Sequence, residues 1–182
     1  MYTTKRHTAE ISVADYVRDY INIEEFVEYC RECPNHDQRW ACPEFDFDVL
    51  GYWQSHETLK LIAEEIIFDE EYAGKKYEDE ELKEIIRNSM GPVKDKLTAE
   101  LFEEEKKYPG SVSLSAGSCH LCDKCTRPEG LPCKYPEKLR YSIEALGGNV
   151  GMTIEKLMGI HIEWMEENTL PSKFVLVCGL LI

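Results

Sequence analysis

Four cysteines lie within one short stretch of the chain, CHLCDKCTRPEGLPC, at positions 119, 122, 125 and 133. Gaps of two residues allow a loop to wrap the first three thiolates around one inorganic centre. This spacing is typical of the C-x2-C-x2-C run that holds iron–sulfur cubes, whereas zinc sites more often use two pairs separated by a longer span. We interpret Cys119, Cys122, Cys125 and Cys133 as ligands of a 4Fe–4S cluster. Zinc is the alternative, and free or disulfide-bonded thiols are the third possibility.

A second group of cysteines, Cys30, Cys33 and Cys42, has no obvious fourth member. Three interpretations stay open. The group holds its own cluster with one iron left open, or it binds zinc with His36 or water as the fourth ligand. Alternatively, the two segments exchange a cysteine, as in two-cluster ferredoxins, with Cys133 completing the first set and Cys42 the second.

An open ligand position would give the first group a chemistry of its own. An iron without a protein ligand is a Lewis acid that can bind a hydroxyl, carboxylate or sulfide. Trp40, Tyr52 and Trp53 are candidates to wall such a site and exclude water, and packing of the loop is the alternative role for these aromatic residues. Asp37 and Glu44 are candidate acid/base groups because they lie nearby in the sequence.

The second group lies in the densest basic neighbourhood of the chain. Basic side chains there would balance an anionic cluster, and backbone N–H groups near Gly117 and Gly130 could donate to its sulfur atoms. For any single basic residue, an ordinary surface role is the alternative. The neighbouring basic residues are Lys124, Arg127, Lys134, Lys138 and Arg140. The eighth cysteine, Cys178, lies in an apolar stretch and is interpreted as a core thiol.

Composition narrows the class of protein. The 182 residues predict a single metal-binding, iron–sulfur domain spanning residues 1–182, and the net charge of −14 argues against nucleic acid as a partner. The longest apolar run, FVLVCGLLI, is too short to cross a membrane. With no signal-peptide pattern at the start, we expect a cytoplasmic protein whose thiols bind metal. The sequence does not give the oligomeric state.

Local patterns predict an α/β (α+β) fold, with a small mixed sheet of about four strands, helices and two cysteine-rich metal-binding loops. Asn22 and Glu25 form a capping box that begins a helix, and Pro34 ends it, so that Cys30 and Cys33 lie in its last turn. The segment 35–53 is predicted as loop. Strands are predicted at 9–13, 58–68, 111–116 and 173–182, and helices at 82–101 with an interruption at Gly91–Pro92, at 142–146 and at 153–167.

The two segments CRECPNHDQRWACP (30–43) and GSCHLCDKCTRPEGLPCKYPEKLRYSIEALGGNV (117–150) resemble a family of cysteine-rich proteins. This family, a domain of unknown function common in anaerobic bacteria and methanogenic archaea, is predicted to bind metal. The resemblance implies that the seven cysteines of the two groups are the metal-binding positions and that Cys178 is not one. The chain departs from the family pattern at Glu44, at Lys134 and at Gly148–Asn149, which affects loop shape more than ligands.

We therefore expect an oxygen-sensitive protein with one or two 4Fe–4S clusters. The first hypothesis is an electron-transfer or redox accessory role with a redox partner protein. The second is an enzyme that uses an open cluster iron of the first group to bind and activate a small-molecule substrate. The third is a structural zinc scaffold. Common catalytic motifs, such as the P-loop, G-x-S-x-G and H-E-x-x-H, are absent from the sequence.

Overall fold

The computed structural model describes residues 1–42 and 44–182. In this part of the chain, four strands form one sheet in the order β1-β2-β4-β3, and all three pairings are antiparallel. The strands are β1 (Tyr2–Ser12), β2 (Thr58–Phe68), β3 (Val112–Leu114) and β4 (Lys173–Leu181). The predicted combination of a four-stranded sheet and helices is confirmed.

Five α-helices lie in the described residues, and none of these is long and apolar enough to cross a membrane. They are α1 (Val13–Tyr20), α2 (Ile23–Glu32), α3 (Val49–Gln54), α4 (Asp79–Lys107) and α5 (Val150–Met158). Two short 3₁₀ turns, Arg127–Glu129 and Pro136–Lys138, lie in and just after the second cysteine group.

The sheet has an apolar core on each face, because successive side chains of a strand point to opposite sides. On one face, Leu59, Leu61 and Ala63 of β2 pack with buried residues of α1 and α5. On the other face, Ile66 of β2 and Leu176 of β4 pack against α4. The result is a sheet between one long helix and a layer of shorter helices.

Two of the sequence predictions are closely matched. Strand β2 has the predicted bounds, and α2 begins as predicted, since the side chain of Asn22 accepts a hydrogen bond from the backbone N–H of Glu25. Cys33, which precedes Pro34, is the extended residue that ends α2. Both ends of this helix could be predicted because the capping box marks its start and the proline marks its end.

Other predicted elements are wrong in their extent. The first strand spans Tyr2–Ser12, so Val13 belongs to α1, which the sequence did not indicate. Part of the predicted loop 35–53 is helical, from Val49 to Gln54. Helix α4 is continuous through Pro92, because its buried face packs along the sheet on both sides of that residue.

Two predicted helices are also corrected. Residues 143–147 form hydrogen-bonded turns, in which Ser142 still caps by accepting from the backbone N–H of Ala145 at 3.2 Å. The helix predicted at 153–167 is α5, which begins at Val150 and ends at Met158. Gly159 ends it because its left-handed φ of 68° turns the chain out of the helix.

Candidate metal centre

Helix α2 and a tight series of turns bring the first cysteine group together. Cys30 lies in the last turn of α2, and the backbone N–H of Cys33 donates to the Cys30 carbonyl at 3.0 Å. The loop then folds back, since the N–H of Asp37 donates to the Cys42 carbonyl at 2.8 Å and the N–H of His36 to the Cys33 carbonyl at 3.0 Å. Cys33 is exposed, while Cys30 and Cys42 are half-buried.

The charges of these three thiols interact. Burial raises the pKa of Cys42 to about 11, and the charges of Cys33 and Cys30 act in the same direction. Burial also raises the pKa of Cys30, with further contributions from Cys33 and from the carboxylate of Glu144. Cys30 and Cys42 therefore hold their protons at neutral pH, and a bound metal would have to displace them.

The second cysteine group lies on a loop whose two ends run side by side. Ser115 and Ser142 form an isolated parallel bridge, and the N–H of Ser115 donates to the Tyr141 carbonyl at 2.8 Å. Inside the loop, Gly130 has a left-handed φ of 67°, which turns the chain back toward the fourth cysteine. The four cysteines of this group, Cys119, Cys122, Cys125 and Cys133, are all half-buried.

Cys119 shows that the thiols of the second group are also close to one another. Burial raises the pKa of Cys119, and the charges of Cys122, Cys133 and Cys125 add to this effect. A hydrogen bond from the backbone N–H of Leu121 acts in the opposite direction. Such N–H donors are the contacts that tune thiolate ligands of iron–sulfur clusters.

Side chains of the first loop tie the two cysteine groups to each other. Arg39 donates to the carbonyl of Cys119 at 2.9 Å, and the indole N–H of Trp40 donates to the carbonyl of Leu131 at 3.1 Å. Arg127 pairs with Asp37 and lies 4.7 Å from the centre of the Trp40 ring. The two groups therefore form one structural unit, and the charge of Cys119 contributes to the raised pKa of Cys42.

A cleft of about 590 Å³ opens beside the first group, and Cys30, Cys33 and Cys42 all line it. Its apolar wall comes from α2, from the segment between the first cysteine loop and α3, and from the start of α3. The residues of this wall are Ile23, Val27, Phe45, Phe47, Val49 and Leu50. This size falls in the range of small-molecule sites.

The aromatic wall predicted from the sequence is wrong. Trp53 is fully buried in the core, where its indole donates to the Leu146 carbonyl at 3.0 Å. Tyr52 packs against Tyr141, and Trp40 points to the second cysteine group. Aromatic composition alone could not distinguish these packing roles from the wall formed by Phe45 and Phe47.

The candidate acid/base groups have partners. Asp37 is paired with Arg127, which lowers the pKa of this carboxyl, and Glu44 lies 3.4 Å from Arg31 at the rim of the cleft. His36 also lines the cleft.

Of the basic residues near the second group, three pair with carboxylates: Lys124 with Glu129, Arg127 with Asp37 and Arg140 with Glu105.

Two residues that the sequence did not single out lie at the centre of this unit. Glu144 lines the cleft, and its Oε2 atom is inaccessible to solvent and has no hydrogen-bond partner among the described residues. Lys94 of α4 is half-buried and donates to the carbonyl of Ser118. Burial lowers the pKa of Lys94, while the charges of Cys119 and Glu144 act against this effect.

The eight cysteines are all free of disulfide bonds, and Cys178 is buried in the core as predicted. Burial raises the pKa of Cys178 to about 12, and its thiol lies 3.8 Å from the carbonyl of Ile62.

Across residues 1–42 and 44–182, no three His, Cys, Asp or Glu side chains converge as closely as a single metal ion requires.

The antiparallel sheet with its paired, thiol-rich loops defines a cysteine-rich protein with candidate metal ligands. The chain belongs to the family described as predicted metal-binding protein (DUF2284), whose sequence profile matches residues 16–182. This match includes both cysteine groups. The comparisons with curated proteins and with solved structures found no match.

Proposed function

We propose that this metal-binding protein is an iron–sulfur protein, with a 4Fe–4S cluster held by Cys119, Cys122, Cys125 and Cys133 and a role in electron transfer. The observation that carries the proposal is the thiol set of the second loop. It contains four half-buried cysteines, the first three separated by gaps of two residues, and the charges of the other three all raise the pKa of Cys119. A fully ligated cluster of this kind accepts and releases single electrons.

The surrounding residues support this proposal. The N–H of Leu121 donates to the Cys119 sulfur, and Lys94 and Arg39 place positive charge between the two cysteine groups. Both interactions stabilise negative charge on thiolates. Because all eight thiols are free, we propose that the protein works in a reducing compartment such as the cytoplasm, where it exchanges electrons with a partner protein.

A second candidate function is favoured by the cleft. Three thiols line it, and the rest of its wall combines an apolar surface with several polar and charged side chains that could orient a small molecule. We propose that Cys30, Cys33 and Cys42 hold a second centre and that the apolar wall keeps water from a small substrate bound beside it. In this proposal the cluster of the second loop supplies electrons to the centre held by the first cysteine group.

The experiment that tests the proposal is metal and acid-labile sulfide analysis of protein purified without oxygen. We expect iron and sulfide in about equal amounts and a brown protein with broad absorbance near ~400 nm. Cys122→Ser should lose the iron of the second loop, because a thiolate ligand has been removed. Cys178→Ala is the matched control and should keep all of its iron, since Cys178 lies in the core.

Two results would reject the proposal. Stoichiometric zinc without sulfide would favour a structural zinc scaffold. A Cys122→Ser protein with the iron content of the unmodified chain would remove Cys122 from the ligand set.

A further inference from the structure

Glu144 lies close to both cysteine groups. It follows Ser142 in the turn that closes the second cysteine loop, and it reaches the cleft of the first group. Burial raises the pKa of Glu144, and hydrogen bonding from Ser142 and from its own backbone N–H acts in the opposite direction. The carboxyl oxygen Oε2 is buried and has no partner in the described part of the chain.

A buried carboxyl oxygen without a partner is destabilising unless another group fills the position. The cleft next to Glu144 contains Cys30, Cys33 and Cys42, the cysteine set that lacks a fourth member. The charge of Glu144 contributes to the raised pKa of Cys30. Glu144 and the cysteine set without a fourth member therefore line the same cleft.

We propose that Glu144 is the fourth ligand of the first metal centre, completing a set of three thiolates and one carboxylate. The inference rests on the second centre of the proposed function. Three thiolates and one carboxylate carry the same total charge as four thiolates, and Lys94 lies near enough to Glu144 to balance part of it. On binding, the carboxyl releases its proton to solvent, as a metal-ligating acid must.

The other ligand-type residues of the cleft are less suited to this position. Glu44 is exposed and pairs with Arg31, and Asp48 is exposed as well. His36 is half-buried and is the strongest competitor. His36→Ala is therefore the matched control for substitution of Glu144.

The test compares iron content and electron paramagnetic resonance spectra of oxygen-free, full-length variants before and after mild oxidation with ferricyanide. Glu144→Ala and the isosteric Glu144→Gln should each lose about one iron atom per chain and give the signal of a three-iron cluster, because one corner of the cube has lost its ligand. Glu144→Cys should keep that iron, and so should His36→Ala. Circular dichroism confirms that each variant is folded.

The result that would overturn the inference is an unchanged iron content and spectrum in both Glu144→Ala and Glu144→Gln. Loss of one iron in His36→Ala would also overturn it and would assign the position to the histidine. Cys33→Ala tests the premise separately. If this variant keeps all the iron of the unmodified chain, the first group holds no iron centre, and the second candidate function fails together with the inference.

Discussion

Lys94 illustrates, at the scale of single residues, how the fold gives chemistry to a side chain that looks ordinary in the sequence. It is one of several lysines on α4, yet it donates to the Ser118 carbonyl between the two cysteine groups. The charges of Cys119, Glu144 and Cys42 all favour its protonated form. The result is a partly desolvated cation beside both candidate centres.

Replacing Lys94 should therefore change the electrochemistry of the bound centres. Lys94→Met keeps the length of the side chain but removes its charge, which makes an added electron less favourable. We expect the reduction potential to fall on the order of 50 mV, measured by a spectroscopic redox titration. Lys96→Met is the control because Lys96 is exposed on the same helix. Equal potentials in the two variants would contradict this role of Lys94.

The candidate ligands differ in how well the sequence predicts them. Cysteine spacing alone separated the two groups, and the structure brings the members of each group near to one another. Glu144 and Lys94 could not be predicted this way, because each is a single residue whose surroundings come from distant segments. The signal available for Glu144 was a lone acid among the apolar residues of IEAL, which follow Ser142.

At the scale of elements, the contact between the start of α2 and the turn at residues 143–147 positions both the first cysteines and Glu144. The N–H of Asn22 donates to the Gly147 carbonyl at 2.9 Å, and Ile21 and Gly148 form an isolated bridge. Gly147 has a φ of 83°, and a Cβ atom there would lie 2.9 Å from the Cα of Ile23. Glycine at position 147 therefore allows both the left-handed turn and the close approach of α2.

Gly147→Ala should lower the free energy of unfolding by about 3 kcal/mol, because left-handed strain adds to a collision with backbone. Gly74→Ala is a matched control: its φ is 73°, but the added Cβ would meet nothing within 4 Å. We expect this control to lose only about 1 kcal/mol. Urea unfolding of the two variants measures the difference, and equal losses would show that the helix can move away without cost.

The ion pair between Glu105 of α4 and Arg140 fixes the end of the second cysteine loop. Both side chains are largely buried, at 15% and 18% exposure, and Glu105 also accepts from the N–H and the hydroxyl of Ser113. Burial alone would raise the pKa of Glu105, but the hydrogen bonds from Arg140 and Ser113 outweigh it and the pKa is lowered. The pair thus connects α4, β3 and the loop.

This interaction predicts a pH-dependent stability. Because the folded-state pKa of Glu105 lies below its usual value, the stabilisation is present above about pH 4.3 and is lost as the pH falls through the lowered value. Glu105→Gln should cost about 2 kcal/mol at neutral pH, and the gap from the unmodified protein should close in acid. Urea titrations across this range provide the measurement, with the exposed Glu103→Gln as control. A gap that is constant with pH would contradict the prediction.

An element could be predicted from the sequence where its own residues carry a local signal. Helix α2 and strand β2 carry their own signals, a capping box and an alternation of apolar side chains. By contrast, α1 follows directly from a largely polar edge strand, and α3 is a single short helix in an aromatic loop. The continuity of α4 through Pro92 depends on packing against the sheet, which local sequence does not contain.

At the scale of the whole molecule, the fold brings together two cysteine loops that are separated in the chain by α3, β2, α4 and β3. Trp40 and Arg39 of the first loop bond to the second, and the cleft is built from both. The chain as a whole carries a net charge of −14, while Lys94 and Arg39 keep positive charge between the thiols. This arrangement suits two neighbouring anionic centres, one closed and one beside a cleft.

The most direct measurement is anomalous X-ray diffraction at the iron absorption edge from crystals grown without oxygen. The account predicts one iron peak among Cys119, Cys122, Cys125 and Cys133 and a second peak among Cys30, Cys33, Cys42 and Glu144. A peak only at the zinc edge, or protein thiols with no anomalous scatterer between them, would contradict it.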